Sequence, residues 1–162
     1  TAPGSGSKLA DSGRLQADDP HYAHKAKRVS ELYRDNGQVL MHEDLGKLTE
    51  NRPLGRVAVQ TPCSLQHGLK LPGLISDLLI KAGFELADTR DTHLCCGSAG
   101  TYSILQAGMS KTLRTKKLAA LCVNDPAVIA TGNVGCQLHL EGAASVPVVH
   151  WIDLLDPDST TG

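Results

Sequence analysis

Four cysteines and one histidine carry the chemistry available to this chain: Cys63, the adjacent pair Cys95–Cys96, Cys136 and, three residues on, His139. A disulfide between neighbouring cysteines strains its ring, so Cys95 and Cys96 are better placed to offer two thiolates to one multi-metal centre. Thiolate, not thiol, is the metal ligand and the nucleophile. Cys136 and His139 fall on one face of a helical turn and can ligate together. Sulfur-rich ligation with one imidazole suits an iron–sulfur cluster or zinc and disfavours magnesium or calcium. A metal-free reading also stands, in which Cys95, Cys96 or Cys136 exchanges thiol for disulfide. The bland alternative is that the thiols serve as small buried apolar groups, and Cys122, near Leu118 and Leu121, reads that way. His67 reads as a surface residue, His93 as a local hydrogen-bonding group, and His150 beside Trp151 as a packed or capping residue. His21, His24 and His42 read as exposed helix residues.

The elements that must position these groups read as alternating strands and helices. Arg56–Gln60, Phe84–Ala87, Ala127–Thr131 and Val146–His150 are β-rich runs. Helical patterns follow at 71–82, at 108–122 with Lys111, Arg114, Lys116 and Lys117 on the wet face, and from an Asn133 cap through Leu140. Trp151 to Leu155 reads as a short helix. Repeated strand–turn–helix units predict an α/β fold: a mostly parallel sheet of about four strands covered by helices. Ligands of such sheets sit beyond the carboxyl ends of the strands, and Cys63, Cys95–Cys96 and Cys136 all fall in strand-to-helix turns. The spacing therefore predicts that four thiols distant in sequence converge on one rim. Cys63, behind Thr61-Pro62, and Cys136 also lie in first helical turns, where free N–H groups and the helix dipole favour a thiolate. Before the sheet, 21–34 reads as an amphipathic helix and 40–48 as a shorter one, with Asn51-Arg52-Pro53 as a break; residues 1–20 read as irregular. The expected division is an N-terminal helical segment with the remnant of a preceding half-repeat over 1–52, a cysteine-rich domain over 53–156 and a polar tail over 157–162.

Composition narrows the field. The chain has 162 residues, a 41% hydrophobic fraction and a net charge of -1 from 16 basic and 17 acidic side chains. Those values suit one ordinary globular domain. With only 3% aromatic residues and no basic stripe, a nucleic-acid surface is not expected. No apolar run reaches membrane-spanning length. Five cysteines, an odd number clustered near glycines, favour metal or redox chemistry in a reducing compartment over a disulfide framework. No G-x-G-x-x-G stands after a strand, so a flavin or substrate site within the chain is not expected.

Two stretches are recognisable: Thr92-His93-Leu94-Cys95-Cys96-Gly97-Ser98-Ala99-Gly100 and Asn133-Val134-Gly135-Cys136-Gln137-Leu138-His139. With Cys63 separated from the pair by thirty-one residues, they resemble one copy of the cysteine-rich CCG motif. That motif occurs in heterodisulfide reductases, in lactate-utilisation iron–sulfur proteins and in glycolate oxidase iron–sulfur subunits, and the last resemble this chain most, from about Asp18 onward. The resemblance implies an electron-transfer iron–sulfur part of a flavin-dependent glycolate dehydrogenase, an oxidoreductase complex that turns glycolate into glyoxylate, with no catalytic residue in this chain. It implies a [4Fe-4S] cluster, cuboidal or non-cubane, on Cys63, Cys95, Cys96 and Cys136. His139 stands where the motif often has a further cysteine. Zinc and a metal-free thiol site are the alternatives. The implied partners are the complex's flavin-containing subunits, and the implied location is cytoplasmic, at the inner face of the membrane by peripheral association. Family members carry two ferredoxin-type cysteine runs and an earlier CCG half; neither is present, and Ser5 stands where that half would end in a cysteine. The chain is accordingly expected to be the C-terminal part of a longer protein.

Overall fold

The computed structural model describes residues 3–45, 48 and 55–156. Helices α1 (Pro3–Ala10), α2 (Ser12–Leu15), α3 (Ala23–Leu32) and α4 (Asn36–Leu40) precede strand β1 (Val57–Gln60). A π-helical turn at Ser64–Gly68 and helix α5 (Leu74–Lys81) follow. Helices α6 (Tyr102–Leu105) and α7 (Ala107–Leu121), strand β2 (Val128–Thr131), helix α8 (Val134–Glu141) and strand β3 (Val148–His150) complete the α/β unit, closed by a 3-10 turn at Trp151–Leu155.

The three strands form one parallel sheet in the order β1-β2-β3, with Val57 opposite Val128 and Ile129 opposite Val148. All four residues of β1 and of β2 are buried, as expected of a parallel strand covered on both faces. Alternation splits their side chains between two apolar layers. Val57, Val59, Val128 and Ala130 join Leu65, Ile75, Leu78, Leu79, Trp151 and Leu154 on one side. Ala58, Ile129 and Val148 join Leu121, Leu140, Cys96 and Cys136 on the other.

Four expectations need correction. The Phe84–Ala87 run is no full strand: Val57 N–H donates to Glu85 O at 2.8 Å and Ala87 N–H to Val57 O at 2.9 Å, giving only an isolated parallel bridge at Leu86. The chain enters this run through a Schellman turn at the end of α5, with Gly83 at φ 90° and Phe84 N–H on Leu79 O, and leaves it almost at once for the cysteine loop. Residues 1–20 are not irregular, because α1 and α2 occupy much of that span. Gly6 seats directly against the Tyr33 side chain and Gly13 against the α3 backbone, so packing outweighs poor intrinsic propensity. Of the helix expected over 40–48, residues 46 and 47 lie outside the described residues, and over 41–45 the chain is not helical: α4 begins at Asn36 and ends at Leu40. A capping box decides its start, in which Asp35 Oδ1 accepts from Gly37 N–H and Gln38 Oε1 from Asp35 N–H, both at 3.0 Å. The turn after Thr61-Pro62 is π-helical. The Asn51-Arg52-Pro53 break and the 157–162 tail lie outside the described residues.

Candidate functional site

The carboxyl ends of β1 and β2 deliver Cys63 and Cys136 to one rim, and the loop leaving Leu86 delivers Cys95 and Cys96 to the same place. Cys96 Sγ lies 3.1 Å from Cys136 Sγ and shares a hydrogen bond with it. Cys63 is within hydrogen-bonding reach of Cys95 and within electrostatic reach of Cys96. The structure therefore brings together all four cysteines that the spacing singled out. Cys96 and Cys136 are buried, Cys63 and Cys95 partly exposed, and all are free thiols. Among the described residues no three Cys, His, Asp or Glu side chains are placed so as to hold one metal ion, so the thiols are neighbours and not a preformed single-ion cage.

Local sequence explains how each thiol is held. Asn133 caps α8, its Oδ1 accepting from Gly135 N–H at 3.3 Å, while its Nδ2 donates to Cys136 Sγ at 3.6 Å. Gly97 has φ 91°, a region that side chains disfavour, and its N–H donates to Cys95 Sγ at 3.3 Å. Its α-carbon is pressed on α7: a β-carbon there would meet Ser110 O at 2.5 Å. Buried Ser110 donates its hydroxyl proton to Gly97 O at 2.8 Å.

His139 reaches the same clasp. Its Nε2 is 3.2 Å from Ser110 Oγ. Because the one hydroxyl proton is committed to Gly97, the imidazole supplies the proton of this second bond from Nε2. His139 thus braces the cysteine loop through Ser110. His150 is buried and caps the following 3-10 turn, Nδ1 accepting from Ile152 N–H at 3.3 Å. His67 and His93 are exposed. Cys122 packs against the second apolar layer, and the charge that acts on it is that of Asp125, with none from the four clustered thiols.

The thiols do not titrate alike. The hydrogen bond with Cys136 pulls Cys96 down to about 6 from an ordinary 9.0, against burial and with help from the Ser98 backbone N–H and from Cys95. Cys136 is pushed up by keeping the shared proton, by burial and by the Cys96 charge. Burial first, then the charge on Cys95, pushes Cys63 up to about 11. The Cys96 thiolate is favoured, and Cys136 and Cys63 then hold their protons. Full deprotonation would put several negative charges in an apolar layer, a heavy desolvation cost without a cation; a metal that binds all four must displace those protons. All-sulfur, partly buried donors are the set that soft metals and iron–sulfur clusters take.

One residue of the site escaped the sequence reading. Lys117, placed there on the wet face of its helix, is 1% exposed, and Arg114 is half-buried. Lys117 Nζ donates to Thr92 O at 3.0 Å and to Asp91 O at 3.4 Å. Its spacing from Ser110 and Leu121, seven and four residues, puts all three on one helical stripe, a signal that its charge concealed.

The CCG family model, a cysteine-rich domain, matches residues 57–141. Over 156 residues the chain is 42% identical to the glycolate oxidase iron–sulfur subunit of Escherichia coli (strain K12), covering 96% of this chain and 38% of that protein. It is 30% identical over 164 residues to a probable glycolate oxidase iron–sulfur subunit of Bacillus subtilis (strain 168), covering 95% and 37%. It is 28% identical over 155 residues to lactate utilization protein A of Bacillus velezensis, covering 88% and 62%. The chain thus spans less than two-fifths of the length of the first two relatives.

Proposed function

The chain belongs to the cysteine-rich CCG family, and from that premise we propose that it is the cluster-bearing part of an iron–sulfur subunit in a glycolate-oxidising complex. The convergence of Cys63, Cys95, Cys96 and Cys136 on one rim carries the reading, and the printed names of the two glycolate oxidase relatives support it. Cys63, Cys95, Cys96 and Cys136 would hold a [4Fe-4S] cluster, cuboidal or non-cubane, with His139 as a further ligand. When bound, such a cluster accepts and passes on single electrons. The chain's own groups do the rest. Ser110 and His139 fix the cysteine loop, Asn133 holds Cys136, and the apolar layer shields the two inner thiols from solvent. Flavin-containing subunits would be the electron source, and the chain would act in the cytoplasm, reaching the membrane only through the complex. Among the described residues no helix is long and apolar enough to cross a membrane.

Zinc gains no support from the comparisons. A metal-free reading has one observation of its own, the 3.1 Å Cys96–Cys136 pair. There the Cys96 thiolate and the Cys136 thiol would close to a disulfide, giving two electrons and one proton to a disulfide substrate that leaves as one thiolate and one thiol. Iron and acid-labile sulfide analysis of anaerobically reconstituted protein, with a visible spectrum, separates the readings. The cluster reading expects both elements and a broad visible absorbance, sharply reduced in Cys96→Ser and Cys136→Ser. Zinc alone, or no metal after reconstitution, overturns it.

A further inference from the structure

We propose that the ammonium of Lys117 is the built-in counter-charge of the thiol site, holding the potential of the bound cluster above the value the cysteines alone would give. The inference rests on the cluster reading above. Lysine is among the residues least often buried without a charged partner, yet Lys117 is 1% exposed on the inner face of α7. Its two hydrogen-bond acceptors, Thr92 O and Asp91 O, are neutral carbonyls of the loop that runs into Cys95–Cys96. They take two of its three donors and leave its charge unanswered. Among the described residues the salt bridges are Arg14–Asp11 and Arg28–Glu31, and neither involves α7. The Asp91 carboxylate is within electrostatic reach, but Asp91 is an exposed residue, where water screens a charge.

The loop this ammonium ties down, through Asp91 O and Thr92 O, is the one that carries Cys95 and Cys96. Burial holds the Lys117 ammonium below the usual lysine range, and the charges that oppose that shift come first from Cys63, then Cys96, Asp91 and Cys136. Three of the four clustered thiols thus sense this one cation. One turn earlier, Arg114 points its guanidinium at His139 O, 3.2 Å away, with Nε buried and unpartnered, so a second cation on α7 lies against α8. Tying down two carbonyls needs only a neutral donor; burying a full positive charge is a poor way to do it unless anionic groups stand opposite.

The consequence is electrostatic. In a one-electron reduction an electron passes from the reductant to the cluster, no bond forms or breaks, and the site gains one negative charge. A fixed cation in a low-dielectric layer favours the more negative state, so it raises the potential, one of the levers by which proteins set cluster potentials.

The test is a mediator titration with dithionite, followed by electron paramagnetic resonance, on the anaerobically reconstituted chain and on Lys117→Gln, Lys117→Met and Lys117→Arg. Glutamine keeps a donor for the carbonyls and loses the charge, whereas arginine keeps both. The neutral variants are expected to titrate at lower potential. At the wild-type midpoint their reduced-to-oxidised ratio should fall about tenfold, or about 59 mV for one electron, while Lys117→Arg stays within threefold. Neutral variants that keep their circular dichroism yet lose iron, where Lys117→Arg keeps it, would also support the proposal. Wild-type midpoints in Lys117→Gln and Lys117→Met would overturn it. So would loss of the fold in both neutral variants before any cluster is loaded, since that would make Lys117 a residue of the fold. Wild-type protein that takes up no iron would instead refute the cluster reading itself.

Discussion

Replacing Gly97 by alanine should damage the site far more than the same change three residues on at Gly100. Both glycines have positive φ, 91° and 59°, so both variants accept the strain of a side chain in the left-handed region, about 1–2 kcal/mol. Both recover about 0.4–1 kcal/mol because alanine restricts the unfolded chain. They differ in space. At Gly100 a β-carbon meets nothing within 4 Å, whereas at Gly97 it meets Ser110 O at 2.5 Å, Leu113 Cβ at 3.1 Å and His139 Nε2 at 3.2 Å. The first of these is backbone of the longest helix and cannot swing aside, so overpacking adds about 1–3 kcal/mol. Gly97→Ala should therefore cost about 1–4.5 kcal/mol and Gly100→Ala about 0–1.5 kcal/mol. Urea unfolding of the reduced, metal-free protein, read by circular dichroism, measures both; with a slope of about 2 kcal/mol per molar urea, Gly97→Ala should move the midpoint down by about 0.5–2 M. Because Gly97 follows Cys96 directly, the shift should be matched by poorer cluster retention. Equal losses in the two variants, or a Gly97→Ala loss under about 0.5 kcal/mol, would refute the clasp between the cysteine loop and α7.

The other expectations are as specific. Asn133→Ala removes the α8 cap and a donor to Cys136 Sγ, and should cost about 1 kcal/mol in the same urea assay. Ser110→Ala strands the Gly97 carbonyl and the His139 proton, a loss of about 1–3 kcal/mol, and should loosen the histidine ring in nitrogen-resolved magnetic resonance spectra. Burial first of all holds His150 below the ordinary 6.5, opposed by the charges of Asp153 and Asp35. Its contribution to stability is present above that unfolded value and is lost as pH falls below it, because only the unfolded chain readily takes up the proton. The stability profile of His150→Gln between pH 7 and 5 should therefore be flatter than that of the wild type.

Much of this architecture is legible in the residues, for reasons that are local. Val57–Gln60, Val128–Thr131 and Val148–His150 are apolar runs of strand length bounded by turn residues, and Asn133 announces the helix that holds Cys136. The resemblance and the strand–turn–helix order both placed the four thiols on one rim, where they are found. What escaped depends on tertiary contacts or on competing signals. Helix α1 forms from a Gly- and Ser-rich stretch because Gly6 packs on Tyr33, a contact twenty-seven residues away that no window of periodicity samples. The Phe84–Ala87 run has strand-like residues, but one bridge is all its geometry allows beside Val57. The Asp35–Gln38 capping box is readable and is outweighed by the apolar run after it. Lys117 is assigned to solvent by its charge, although its spacing from Ser110 and Leu121 marks the buried stripe.

Whether these four cysteines hold an iron–sulfur cluster is tested most directly by the Mössbauer spectrum of protein reconstituted anaerobically with iron-57 and then desalted. The expected result is iron in tetrahedral sulfur coordination with coupled sites, about four per chain, and loss of that signal in Cys96→Ser. Iron that desalts away, or that remains only as isolated octahedral ions, would contradict it.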